Sequence, residues 1–454
     1  MEAGDRAMTQ PRIVFTSANL VDGVNPAQRG VTVIVEGERI THVGAGAAPD
    51  SRPGDRMVDL SDKTLMPGMF QCHFHAHFGA FGEGVGAPAL GLEGSPAYLA
   101  MLTAKNAGIC LDHGYTGAVG SSNAHVIDVA LKEAILAGHV RGPRYLACTR
   151  ELVTTGDYSD YSNNRNWFME LGNTGLTLQA DGADGWRRAV RSELGKGADI
   201  VKISASAGHG SMPARGTIYQ TPDELHACVD TAHELGKLVR AHVATRDGIL
   251  ACARAGVDVI DHADRIDREC IDAILEAGSF VVPSMLWTVR FLEVAENWDH
   301  AERTLQINEG FPESLDDTLA RIRGVREDFE YTCRAMPDAV AAGVKMVVGD
   351  DFGTPIMPHG DYAAELVFYV KQLGISPLEV IRWATSNGAE LMGHGGDLGR
   401  IEAGRLADVV VLDGDPLQDI TCLADPANVL AVLKGGEVVK DLLGEPQSPL
   451  AVRA

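Results

Sequence analysis

Between residues 198 and 263, short apolar runs alternate with amphipathic stretches, and this alternation restricts the chain to few folds. Ala198-Asp-Ile-Val-Lys-Ile-Ser-Ala is almost continuously apolar, as a strand buried on both faces requires. Pro222 to Gly236 then has helical spacing, with Thr221 placed to cap it and Gly236 to stop it. Lys237-Leu-Val-Arg-Ala-His-Val reads as the next strand and Asp247 to Ala255 as the next helix. Val257-Asp-Val-Ile-Asp-His-Ala is the strand after that. Units in this order predict a parallel sheet, either doubly wound or closed into a barrel. Periodicity alone does not choose.

The two ends of the chain differ from this middle. Arg12 to Leu65 reads as short strands and turns, among them Arg12-Ile-Val-Phe-Thr and Val31-Thr-Val-Ile-Val. The tail resumes the same texture. Ala407-Asp-Val-Val-Val-Leu-Asp-Gly-Asp-Pro is a strand ending in a turn, and Val429 to Val439 is a hairpin around Gly435-Gly436. Neither piece has enough strands for a core of its own. One small β domain built from both ends is the economical reading.

The 454 residues have room for such a domain beside a large α/β one. A formal net charge of −23 argues against nucleic acid or an anionic membrane as partner. No basic head with an apolar run opens the chain, and no stretch approaches a spanning helix, so a cytoplasmic protein is expected. The eight cysteines form no Cys-x-x-Cys pair, which excludes a disulfide framework or a thiolate metal site as the organising principle. Cys72 reads as a small buried thiol.

The polar residues carry the chemistry. In Met66-Pro-Gly-Met-Phe-Gln-Cys-His-Phe-His-Ala-His-Phe, His73 and His75 leave the same face of a strand and form a ready chelate for zinc or a similar ion. His77 falls past the strand and reads as structural or as support. Lys202 interrupts an apolar run, where an unpaired ammonium is costly. It either points to solvent or a local carboxylate, or is carbamylated by CO₂ into an anion able to bridge two metals. His242 and His262 sit near the C-terminal ends of successive strands, the rim where parallel barrels keep their active sites. The run Ala342-Gly-Val-Lys-Met-Val-Val-Gly-Asp-Asp ends a further strand in Asp350 and Asp351, one of which is placed to bind metal and move a proton.

Taken in this order, these residues resemble the amidohydrolase superfamily over nearly the whole chain. Pro67-Gly68, His73-Phe-His75 and the tail Leu398-Gly-Arg-Ile-Glu-Ala-Gly-Arg-Leu-Ala-Asp-Val-Val-Val-Leu-Asp-Gly-Asp-Pro carry the likeness. Gly142-Pro-Arg and Val201-Lys-Ile resemble the branch of imidazolonepropionase-like proteins, prolidase-like dipeptidases, ochratoxin amidases, and phenylurea and molinate hydrolases. The resemblance implies an α/β fold: a (β/α)₈ TIM barrel over residues 67–398, with a β-sandwich domain from 1–66 and 399–454. It implies that His73, His75 and Asp351 hold one divalent ion, that His242 and His262 hold another, and that carbamylated Lys202 bridges them. Zinc is the default, with manganese, cobalt, nickel or iron acceptable. A bridging hydroxide would attack the carbonyl of a C–N bond, and Asp351 would carry its proton to the departing nitrogen. A small-molecule substrate and a homo-oligomer are expected.

Three departures from the family pattern stand out. Gln71 replaces the usual Asp two residues before the first histidine, Gly349-Asp350-Asp351 replaces Gly-Thr-Asp, and Thr155-Gly-Asp-Tyr158 replaces Thr-Gly-Gly-His. Candidate substrate contacts are Tyr158, His209, Trp287, Phe352 and Met357, with Met212 and His359 nearby. They suggest a rather apolar pocket, better suited to a neutral aromatic or alkyl amide, urea or carbamate than to a free dipeptide. Two other classes compete: a one-metal deaminase or cyclic-amide hydrolase, from which Lys202 discriminates, and a scaffold that has lost its metal, from which the six filled ligand positions discriminate.

Overall fold

The computed structural model describes residues 12–50, 52–79, 94–157, 159–160, 175–210, 212–216, 218–299, 314–354 and 356–443. Chain contacts divide the molecule into two compact units, Met1–Met69 with Leu111–Thr116 and Ser376–Ala454, and Phe70–Cys110 with Gly117–Ile375.

In the first unit an eight-stranded sheet draws on both ends of the chain. The joint is the antiparallel pairing of Val409–Asp413 with Lys63–Pro67, in register from Val409↔Pro67 to Asp413↔Lys63. Alternate residues such as Val31, Val33 and Val35 of one strand and Val409 and Val411 of another meet in a single apolar cluster. The hairpin at Gly435-Gly436 forms as expected, with Lys434 opposite Glu437. Both glycines have positive φ, 57° and 75°, which the tight two-residue turn demands.

The second unit is a TIM-barrel-like α/β arrangement. Seven strands pair in the order Thr177–Gln179, Cys148–Val153, Ile200–Ser204, Leu238–Val243, Val259–His262, Phe280–Val282 and Lys345–Met346, every pair parallel. A three-stranded sheet holds Met69–Phe74, Tyr115–Gly120 and Arg144–Leu146. The amide of Cys72 also donates to the carbonyl of Val348 at 2.8 Å. The sequence signals act where expected. Thr221 and Glu224 form a reciprocal capping box ahead of the Pro222–Glu234 helix, and Gly236 follows it at φ 67°. The run from 342 to 349 is ladder-paired only at Lys345–Met346, although Val347 still donates to the Val281 carbonyl at 3.0 Å. Gly349 ends it because the backbone of the first histidine passes so close: a Cβ there would stand 2.3 Å from the His73 nitrogen.

Candidate functional site

Register brings the inward-facing residues together. Lys202 lies opposite Arg240, Ser204 opposite His242, and His242 opposite Asp261. His73 is the next-to-last residue of the Met69–Phe74 strand, and His75 is the first residue past its end. His262, the last residue of its strand and still paired with Val243, has φ 76° and Ser284 has φ 50°, left-handed values that cost energy and recur where a side chain must be aimed. The His262 ring lies 5.3 Å from that of His73, 4.5 Å from that of His242 and 3.7 Å from that of His209, centre to centre. His209 is stacked on it within 18°.

Ligand atoms of His73, His262 and Asp351 lie within 4.8 Å of one another, and so do those of His209, Asp350 and Asp351. Hydrogen bonding fixes the His73 tautomer. The Ser284 hydroxyl donates to the Gly349 carbonyl at 2.9 Å, so it must accept from Nδ1 of His73 at 3.1 Å. A hydroxyl has one proton to give. Nε2 of His73 is therefore a lone pair, and it stands 3.0 Å from Asp351 Oδ1 without a hydrogen bond between them. Two ligand bonds of about 2 Å to one ion set their donor atoms roughly 3 Å apart. Nδ1 of His75, Nδ1 of His262 and Nε2 of His209 are likewise buried with no hydrogen-bond partner among the described residues. Such groups are costly unless something binds them. The donor set of imidazoles and a carboxylate fits a divalent metal.

The neighbouring acids divide their work. Asp351 accepts from His75 Nε2 at 3.0 Å and keeps about a quarter of its side chain accessible, 24 %. Asp350 turns the other way. Its carboxylate accepts the Leu286 and Trp287 amides at 2.8 and 3.2 Å, capping the Met285–Glu296 helix, and the Asp351 amide at 2.8 Å. Burial works against both anions. The imidazoles of His73 and His75 beside it, His75 through a hydrogen bond, hold Asp351 well below the ordinary range, whereas burial and the charge of Asp351 push Asp350 up to about 7. Burial lowers His73 to about 4 and His242 to about 3, and it lowers His75 and His262 too. These rings are neutral at pH 7, the form in which imidazole binds metal. His209 behaves oppositely. Burial alone would depress it, but Asp264, 2.9 Å from Nδ1, raises it to about 9.

Lys202 is 3 % exposed and donates to Asp261 Oδ2 at 2.7 Å, the local-carboxylate partner that its apolar strand left open. His242 Nε2 lies 3.0 Å from the Gly208 carbonyl. His77 is wholly buried, with its ring edge-on to Phe78. The Oε1 of Gln71 reaches the His73 amide only weakly, at 3.5 Å.

Of the candidate substrate contacts, His209 lies in the cluster and Trp287 packs across Gly210, the next residue: a Cβ there would be 1.8 Å from the indole. Phe352 and Met357 have no exposed surface; Phe352 packs edge-on to Tyr362 at 4.9 Å, and the Met357 backbone pairs with Thr354. Tyr158 lies outside the described residues. Sequence reading missed Arg240, Asp261, Asp264 and Ser284. Arg240 interrupts an apolar strand as Lys202 does and was the one legible signal; the others needed the register.

Residues 64–439 match the amidohydrolase family. The chain belongs to it. This amidohydrolase is thus a hydrolase acting on carbon–nitrogen bonds, of a family that generally works through a divalent metal centre. It is 28 % identical to ochratoxinase of Aspergillus niger over 438 residues, 93 % of this chain and 85 % of that protein. The crystal structure of A. niger ochratoxinase superposes with a TM-score of 0.79 at 25 % identity, covering 98 % of this chain and all of that one (100 %). A Xaa-Pro dipeptidase with bound methionine gives a TM-score of 0.79 at 26 % identity, over 94 % of this chain and 100 % of that one. Phenylurea hydrolase B, at 22 % identity and a TM-score of 0.70 over 98 % and 100 % of the two chains, shares the fold.

Proposed function

We propose that this amidohydrolase cleaves the C–N bond of a small amide, urea or carbamate at a two-metal centre inside a closed barrel spanning residues 67–398. The observation that carries this reading is the facing pair of lone pairs, His73 Nε2 and Asp351 Oδ1 at 3.0 Å, with buried unpartnered nitrogens around it. His73, His75 and Asp351 would hold one ion, His242 and His262 the other, and Lys202 as its carbamate would join them. When bound, two divalent ions supply a nucleophilic water at neutral pH and polarise the scissile carbonyl.

The protein's own groups do the rest. Asp351, ionised at neutral pH, takes the proton of the attacking water and returns it to the departing nitrogen. Ser284 fixes the His73 ring and its tautomer. His209, Trp287 and Tyr158 are the proposed substrate contacts, with Phe352 and Met357 shaping the wall, and a neutral aromatic substrate is the first reading. One observation favours a second reading. The buried His209–Asp264 pair aims an imidazole edge into the site, and such a group could receive the carboxylate of an Xaa-Pro or N-acyl amino acid substrate, in line with the names of two relatives.

Metal analysis tests the central claim. About two divalent ions per chain are expected, with activity abolished by chelation and restored on readdition. Full activity of metal-free protein would end the proposal.

A further inference from the structure

Beside Lys202, and taking no part in the mechanism above, lies a fully buried pair. Arg240 donates to Asp261 through Nε at 3.1 Å and Nη2 at 2.7 Å, so both carboxylate oxygens are fixed. Nη1 of Arg240 is tied to the carbonyls of Cys72 and Gly120 at 3.0 and 2.8 Å. Oδ2 of Asp261, thus immobilised, is the atom that receives Lys202 Nζ at 2.7 Å. Arg240 and Asp261 are both 0 % exposed. A counter-ion alone would not need to be clamped at both oxygens. A geometric reference would.

We infer that Asp261 is a positioning residue for the carbamate of Lys202, holding one Nζ–H so that the new carboxylate is directed away from Asp261 and toward the histidines. The inference rests on the two-metal reading. A lysine ammonium has three N–H bonds. One proton leaves to free the amine, whose lone pair attacks the carbon of CO₂. A second leaves as the N–C bond forms and one C=O pair moves onto oxygen; both go to solvent. The third stays on a nitrogen that conjugation has made planar. With Cε set by the strand and the N–H set by Asp261, the direction of the remaining substituent is determined. Arg240 has a part as well. It offsets the charge of Asp261, which would otherwise repel a second anion formed beside it.

The test uses ¹³C-bicarbonate and two kinds of Asp261 variant. Asp261→Asn removes the charge but strands Arg240. The double variant Arg240→Met/Asp261→Leu removes the acceptor without stranding the guanidinium, since folded proteins tolerate apolar replacement of a buried ion pair. Wild type is expected to show one carbamate carbon resonance that is absent from Lys202→Arg. In either Asp261 variant, half-maximal resonance and metal uptake should need at least tenfold more bicarbonate, with cooperative unfolding retained. In Lys202→Ala, metal binding restored by propionate should be equal with and without the Asp261 substitution, because propionate has no N–H to position. A folded double variant with the bicarbonate dependence of wild type overturns the inference alone. So does a tenfold loss of propionate-restored metal binding, which would mark Asp261 as a general prop. Wild type without a carbamate resonance overturns the inference and the bridging role of Lys202 together.

Discussion

Asp350 and Asp351 are chemically identical neighbours with different fates, because a residue's surroundings and not its type decide its work. Asp351 is ionised, partly accessible and set against two histidines, while Asp350 is sealed under the first amides of a helix. Asp351→Asn should lower kcat by about 10²–10⁴-fold, the usual worth of a positioned acid–base group. Asp350→Asn should keep most of kcat but lose about 1–3 kcal/mol of stability, since its helix amides lose an anionic acceptor. Kinetics and denaturant unfolding on both variants check this, and the reverse ranking would move the proton-carrying role to Asp350. The Ser284 hydroxyl acts at one remove, by forcing the His73 proton onto Nδ1. Ser284→Ala should weaken metal binding by about 10–100-fold, as loss of a group orienting a metal histidine does. Chelator competition would read it, and unchanged affinity would show that the tautomer is set elsewhere.

Among the elements, those with local signals were legible and those set by register were not. The capping box at Thr221, the glycine hairpin and the strand carrying Lys202 announce themselves within a few residues. The joining of Lys202, Arg240 and Asp261 depends on how three strands slide past one another, which no spacing records. The Leu315–Ala341 helix also went unread; it is 27 residues long, with Pro337 inside it as an apparent breaker. Where the Tyr115–Gly120 strand gives way to the Ile127–Leu136 helix, Asp128 illustrates a cost that tertiary burial imposes. Burial raises its carboxyl from 3.8 to about 7, and Gly120 is tight because a Cβ would stand 2.1 Å from its Oδ2. The sign follows from proton counting. Between those two pH values the folded state binds the proton and the unfolded state does not, so this group's contribution is full below pH 3.8 and is lost as pH rises through about 7. The slope is at most about 1.4 kcal/mol per pH unit. Asp128→Asn should therefore gain on wild type as pH rises from 5 to 8. A stability difference that is flat in pH would mean Asp128 titrates as in the unfolded chain.

At the scale of the whole molecule, the acidic surface and the site pull in different directions. A net charge of −23 disfavours anionic ligands at long range, yet screening confines that effect to about 10 Å or less in ordinary salt. Within the site the local groups decide, and there His209, paired with Asp264, is the one imidazole that burial does not discharge. The rest of the described lining is apolar or already committed. Trp287 covers Gly210, Phe78 stacks on His75 at 4.1 Å, and Arg240 is tied to Asp261 and to the carbonyls of Cys72 and Gly120. On the proposed reading a neutral anilide needs only the metals, Asp351 and an aromatic wall, whereas a carboxylate-bearing substrate must make His209 its anchor. The discriminating measurement is kcat/KM for a neutral anilide, an N-acyl amino acid and an Xaa-Pro dipeptide of matched size, on wild type and on His209→Asn. The anilide is expected to be cut fastest, with little change in the variant. If either carboxylate substrate is faster by tenfold, about 1.4 kcal/mol of transition-state preference, and His209→Asn removes that advantage, the neutral reading is wrong. His209 is then the carboxylate anchor, and the pocket selects amino acid amides through one buried charge pair.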